Sequence, residues 1–145
     1  DILVSPDYFQ TMGIPLLKGR SFTEQDNHSA PPVVIVSQSL ARRYFPGENP
    51  LGRRLTVHER SPMTCCSAAG PVEGVWREIV GVVGDVRQGN LDEQLAMTFY
   101  RPYSQIVEHD MFLMVRARSS SDATRIATTL RSHLLAANPN KEWSD

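Results

Sequence analysis

Cys65 and Cys66, with His58 seven residues before the first of them, are the residues of this chain best suited to hold a metal ion. Thiolate and imidazole groups are zinc ligands, but a tetrahedral site needs two sulfurs that can point at one ion. Cys-x-x-Cys spacing allows that, and adjacent cysteines do not. Their Cα atoms lie about 3.8 Å apart, below the usual disulfide range, so a Cys65-Cys66 bridge would be strained. The pair reads as free thiols. The four histidines, His28, His58, His109 and His133, are spread along the chain, and no serine sits in a Gly-x-Ser-x-Gly elbow that would make one of them a general base. His133 reads as a helix-surface residue near the negative end of a helix dipole. Glu24 with Asp26, and Asp92-Glu93, have the chemistry of an acid–base pair, but they fall in turn-like segments where carboxylates are ordinarily solvated. Gly81-Val82-Val83-Gly84 lacks both the Gly-x-Gly-x-x-Gly pattern and the lysine of a phosphate-binding loop, so it reads as a structural pair marking a bulge or a close backbone approach. The sequence therefore assigns no catalytic, cofactor-binding or metal-ligating residue, and no cofactor.

The elements that carry these residues are legible from local chemistry. Ile2-Leu3-Val4 reads as a strand end, and Ser5-Pro6 as an N-cap with proline at the first helical position. The helix that follows would bury Tyr8, Phe9 and Met12 and close at Gly13 in the left-handed region. Val33–Val36 is a short β-branched run, the pattern of a buried strand. Ser37 caps a second helix with Leu40, Ala41, Tyr44 and Phe45 on its apolar side, ended by Pro46-Gly47. Residues 48–52 read as a loop and Arg54–Val57 as a strand. Residues 58–74 have no periodicity and read as a flexible loop. Trp76–Val86 is β-rich, and further strands are expected at Met97–Arg101 and Met111–Arg118. The serines before Asp122 start a last helix with Ala123, Ile126, Ala127, Leu130 and Leu134 on one face, which Asn138-Pro139 terminates. Helices do not follow every strand, so the expected fold class is α+β with mixed sheet pairing and a few packed helices.

Composition bounds the function classes. The 145 residues suffice for a real core, and 41% hydrophobic with 21% charged residues is the balance of a packed globular protein. Fifteen basic against sixteen acidic side chains give a net charge of -1, without the cationic excess that nucleic-acid binding requires. The longest apolar runs fall far short of the ~20 residues that span a bilayer. The chain starts at Asp1 without a leader-like segment, and reads as a piece of a longer protein.

Three blocks in order carry a family resemblance. Val4-Ser5-Pro6-Asp7-Tyr8-Phe9 running into Lys18-Gly19-Arg20-Ser21-Phe22 is the first. Pro32-Val33-Val34-Ile35-Val36-Ser37 leading to Tyr44-Phe45-Pro46-Gly47-Glu48-Asn49-Pro50-Leu51-Gly52 is the second, and Trp76-Arg77-Glu78-Ile79-Val80-Gly81-Val82-Val83-Gly84-Asp85-Val86 the third. Together they resemble MacB-like periplasmic core domains of FtsX/MacB-type ABC-transporter permeases, over nearly the whole chain. The Cys-containing loop at 58–74 departs from that pattern.

The resemblance implies an extracytoplasmic domain anchored through its permease to the bacterial inner membrane. Such a domain is non-catalytic and relays conformational change during export while a separate cytoplasmic ATPase does the chemistry. It implies two lobes, one inserted into the other: residues 1–22 and 110–140 in a βαβ-type porter-like lobe, and 31–105 in an inserted β-rich lobe. The first part of the domain and its final strand would lie outside this chain. The implied partners are the transmembrane helices of the same permease, a second permease copy in a homodimer and a periplasmic adaptor protein, and the cargo stays open. Two other functions compete: an independent small-ligand-binding module walled by Ile79–Val86, and a hydrolase or metal enzyme, which would need converging polar groups that the sequence does not reveal.

Overall fold

Val33–Ser37 is buried along its whole length, and that single strand organises the sheet. A run that is buried at every position cannot be an edge or half-solvated strand, so it needs a neighbour on each side and a covered surface above and below. The computed structural model describes residues 1–57, 74–86, 97–106, 114–117 and 119–137, and divides the chain into two compact units, Asp1–Met111 and Phe112–Asp145.

In the first unit the elements run β1 (Ile2–Val4), α1 (Tyr8–Met12), β2 (Leu16–Gly19), β3 (Val33–Ser37), α2 (Gln38–Tyr44), β4 (Arg54–Val57), β5 (Val75–Val83) and β6 (Phe99–Pro102), with a 3-10 turn at Tyr103–Gln105. Among the described residues the six strands form one sheet in the order β1-β6-β3-β5-β2, with β4 also paired to β5. β1–β6 and β3–β5 are parallel, whereas β3–β6, β2–β5 and β4–β5 are antiparallel. This is the expected α+β class with a mixed sheet.

Alternate side chains of β3 leave on opposite faces, and each face has its own core. Val33 and Ile35 join Val4, Phe9, Phe22, Val83 and Tyr100 on the face covered by α1. Val34 and Val36 join Leu40, Ala41, Ile79 and Val82 on the face covered by α2. On the first face Phe9 meets Tyr100 edge-on at 5.0 Å between ring centroids and Phe22 at 6.2 Å. Burial pushes the Tyr100 hydroxyl up to about 12, with Tyr8 and Asp85 adding to the shift.

Several local expectations are corrected. Ser5 does not cap α1. Its carbonyl accepts the Tyr8 N–H in a turn, and the cap residue is Asp7, which makes no side-chain capping bond. Gly13 does close the helix, at φ 70°. Met12 is exposed, so the helix, only five residues long, buries Phe9 alone and packs Tyr8 partly. β2 is a strand in a stretch where none was expected, between Pro15 and the Gly19-Arg20 turn. β6 begins at Phe99 rather than Met97, because Thr98 exchanges bonds with the end of β3: its carbonyl accepts the Ser37 N–H at 2.8 Å and its N–H donates to Ser37 Oγ at 3.0 Å. Ser37 does cap α2, accepting the Leu40 N–H at 3.4 Å.

β1 and β2, which belong to segment 1–22, share this sheet with the strands of segment 31–105, so the boundary expected between 22 and 31 runs through a single sheet. The physical reason is the double-sided burial of β3 and its neighbours: α1 and Phe22 supply one of the two covering layers.

The second unit contains α3 (Ser120–Ala137). Ser119 Oγ accepts the Asp122 N–H at 3.2 Å and donates to the Asp122 carboxylate at 2.9 Å, a reciprocal cap of the kind the serine run predicts. Ile126 and Leu130 are half-buried, while Ala123 and Ala127 are exposed. Residues 114–117 of the expected strand Met111–Arg118 have no regular structure. The expected loop at 58–74, apart from Gly74, and the helix end at Asn138-Pro139 lie outside the described residues, as do residues 110–113, 118 and 140.

Candidate interaction surface

The third sequence block is shaped to receive the first. Gly19 pairs with Gly81 across β2 and β5, and the Arg20 N–H donates to the Val80 carbonyl at 3.0 Å. A Cβ on Gly81 would stand 2.4 Å from the Arg20 carbonyl oxygen. One on Gly84, whose N–H donates to the Pro15 carbonyl at 2.9 Å, would stand 3.0 Å from the Pro15 ring. The register of β5 against β3 also slips between Val34 and Ile35, leaving Val80 as the extra residue of a bulge. The glycine pair is thus structural, as its failure to match a phosphate loop suggested. Ile79 and Val83 are fully buried in the two cores, so at these positions the segment is a packed partition between them.

Beside it, β2 and α2 border an open groove of about 500 Å³. Leu17, Ala41, Phe45 and Pro50 are among its apolar residues, Val82 reaches it from the sheet, and Lys18 and Arg42 supply positive charge at its border. α2 positions its side of the groove through two N-terminal bonds: Ser37 Oγ accepts the Leu40 N–H, and the Asp85 carboxylate accepts the Ser39 N–H at 2.8 Å. Glu48 at the rim is tied to Arg53 at 2.9 Å.

A second polar cluster secures the turn after β2. Arg20 grips Asp26 with two bonds of 2.7 and 2.8 Å, and Asp26 also accepts the Thr23 N–H at 2.8 Å. Ser104 Oγ donates to the Asp26 carbonyl at 2.6 Å, and Gln105 accepts the Val33 N–H and a bond from Arg77 while donating to the Asn27 and Pro31 carbonyls. Asp26 is 5% exposed, which corrects the expectation of a solvated loop carboxylate. The usable sequence signal was Arg20 six residues before Asp26 with Thr23 between them: a chain that turns back can close such a fork. Glu24 is exposed and takes no part.

The bonds from Arg20, reinforced by the Thr23 N–H, hold the Asp26 carboxyl below its ordinary value of 3.8 against the opposing effect of burial. The clasp therefore contributes stability that is present above the unfolded-state value and is lost as pH falls through the lower folded value. Asp26→Asn is expected to cost about 1–2 kcal/mol at neutral pH, limited by the half-exposed Arg20 side chain. Its urea midpoint should converge on that of the parent as pH falls below about 4. An equal gap at pH 7 and pH 3 would show that the carboxylate charge contributes nothing.

Of the other residues singled out in the sequence, His28 is exposed and meets Ser29 at 3.2 Å, and His133 is exposed on α3. His58, Cys65, Cys66, Asp92, Glu93 and His109 lie outside the described residues. Among the described residues no group of three His, Cys, Asp or Glu side chains could hold a metal ion, and no helix is long and apolar enough to cross a membrane.

Comparison with known proteins gives a consistent picture. The family model described as MacB-like periplasmic core domain matches residues 2–133. The chain is 28% identical over 104 residues to the macrolide export ATP-binding/permease protein MacB of Aggregatibacter actinomycetemcomitans, covering 72% of this chain and 14% of that protein. It is 42% identical over 55 residues to the syringafactin export ATP-binding/permease protein SyfD of Pseudomonas syringae pv. tomato, covering 37% of this chain and 8% of that protein. The chain thus spans only a small part of these relatives' length. In fold it is similar to the crystal structure of the periplasmic region of MacB from Actinobacillus actinomycetemcomitans, with a TM-score of 0.62 at 22% identity, over 92% of this chain and 54% of that one.

Proposed function

The chain belongs to the family of MacB-like periplasmic core domains, extracytoplasmic parts of ABC-transporter permeases, and from that premise we propose that it relays conformational change during export and docks a periplasmic partner, with no catalysis of its own. The observation that carries the reading is the family match over residues 2–133, which reaches into both compact units. The sheet suits such a task. Its three family blocks are hydrogen-bonded to one another through β5, so load applied at β2 or β4 passes to β3 through backbone bonds. In this reading the domain is held to the inner membrane by the transmembrane helices of its own permease, works in a permease homodimer, and meets a periplasmic adaptor. A separate cytoplasmic ATPase supplies the energy.

A relay requires two arrangements whose balance the membrane part biases. The test uses the full-length permease with Cys65 and Cys66 replaced by serine. New cysteines go at exposed Arg43 in the first unit and exposed Thr129 on α3, joined by bifunctional thiol reagents of graded reach. At one reach or more, export should fall while nucleotide affinity stays near that of the uncrosslinked protein. Undiminished export with crosslinking verified at every reach would refute the relay and leave passive docking.

A further inference from the structure

We propose that the groove between β2 and α2 is the docking site of an extended, acidic polypeptide segment, received from another protein. This rests on the docking part of the proposed function and names the surface and the chemistry it would use.

Three observations converge on that occupant. β2 ends the sheet order, and among the described residues no strand pairs with its outer side. All four of its residues are exposed, Leu17 at 43%. A strand edge of this kind offers backbone donors and acceptors to an extended chain, while pockets beside it read alternate side chains. The groove takes Leu17 and Lys18 from this strand and is open, which suits a chain passing through, with an apolar side chain seated against Leu17 and Phe45.

Charge selects the chain. Neither Lys18 nor Arg42 has an ion-pair partner among the described residues, whereas Glu48, the acidic residue at the rim, is paired with Arg53. The groove is therefore locally positive in a chain whose net charge is -1. An acidic segment would be steered to it, and an apolar or basic one would leave Lys18 buried without a partner or facing a like charge. The same argument disfavours a second copy of this chain, because pairing β2 with β2 brings two Lys18 side chains onto one short ribbon. The register irregularity between Leu16 and Lys18 shortens the regular edge, so the bound stretch is short.

The test titrates the 145-residue chain with a capped peptide of alternating glutamate and valine, about six residues long, the length of an ordinary strand. The lysine–valine counterpart is the control. Amide shifts should move at Leu17, Lys18, Ala41 and Phe45 with the acidic peptide alone, and binding should weaken as salt rises. Combined Lys18→Glu and Arg42→Glu substitution should weaken the acidic peptide by about tenfold or more and admit the basic one. Both residues are exposed, so the fold is retained; if the unfolding midpoint drops, Lys18→Gln and Arg42→Gln, which remove the charge but keep a polar side chain, are measured instead. Equal binding of both peptides, no binding at all, shifts confined to other surfaces, self-association through β2, or preference of the same residues for phosphatidylglycerol vesicles would each overturn the proposal. Failure here is separable from failure of the relay. Peptide binding is measured on this chain alone, whereas the relay is judged by export from the crosslinked permease.

Discussion

Gly19→Ala is expected to destabilise the chain by about 3–5 kcal/mol, the sum of a left-handed backbone cost and a forced separation of two strands. Gly19 has φ +76°, a conformation that side chains with a Cβ adopt at a penalty. More severely, its Cβ would stand 2.2 Å from the Val80 carbonyl oxygen and 2.8 Å from Leu51 Cδ2. The first of these is backbone in the middle of the sheet and cannot rotate away, so β2 must detach from β5. Gly47 and Gly52 provide the control. Their φ values are +76° and +77°, yet a Cβ on either meets nothing within 4 Å. Alanine at those positions should cost only about 1 kcal/mol, the conformational part alone. Urea unfolding of the three variants separates the contributions, and equal losses at Gly19 and Gly47 would show that the close approach to Val80 has no weight. Because Leu17 and Lys18 ride on β2, the Gly19 variant should also lose the groove.

Phe9→Ala should cost about 3–5 kcal/mol, the range for removing a buried aromatic side chain and leaving a cavity. α1 is only five residues long, far too short to be stable by its own hydrogen bonds, so it persists through packing. Phe9 is its one buried residue and contacts the rings of Tyr8, Phe22 and Tyr100. Truncation therefore removes the anchor of the helix and opens the core face of β3 at the same time. Phe9→Leu, which fills most of the volume, should cost well under half as much. Near-ultraviolet circular dichroism should report the loosened Tyr8 and Tyr100 environments in the alanine variant. A loss below about 1 kcal/mol would mean that α1 is held by something other than this ring.

Local chemistry in the sequence determined the elements whose cause is itself local. The β-branched run Val33–Val36 made β3, the Ser37 hydroxyl three residues before Leu40 made the start of α2, and the serine run before Asp122 made the start of α3. The left-handed stop at Gly13 was legible for the same reason, as was the mixed α+β class, which follows from the order of elements. Three blocks in sequence were also enough to point to the family that the comparison establishes. Only the tertiary structure decided what depends on partners distant along the chain. Leu16-Leu17-Lys18-Gly19 carries no pattern of its own and becomes a strand because β5, more than sixty residues later, supplies its bonds and, at Gly81, the missing side chain that lets it approach. Asp26 looked like any loop carboxylate until Arg20 folded back to grip it. The groove is made of residues from β2, α2 and β5, and no single stretch contains it, because a concave surface is a relation between elements rather than a property of any one of them.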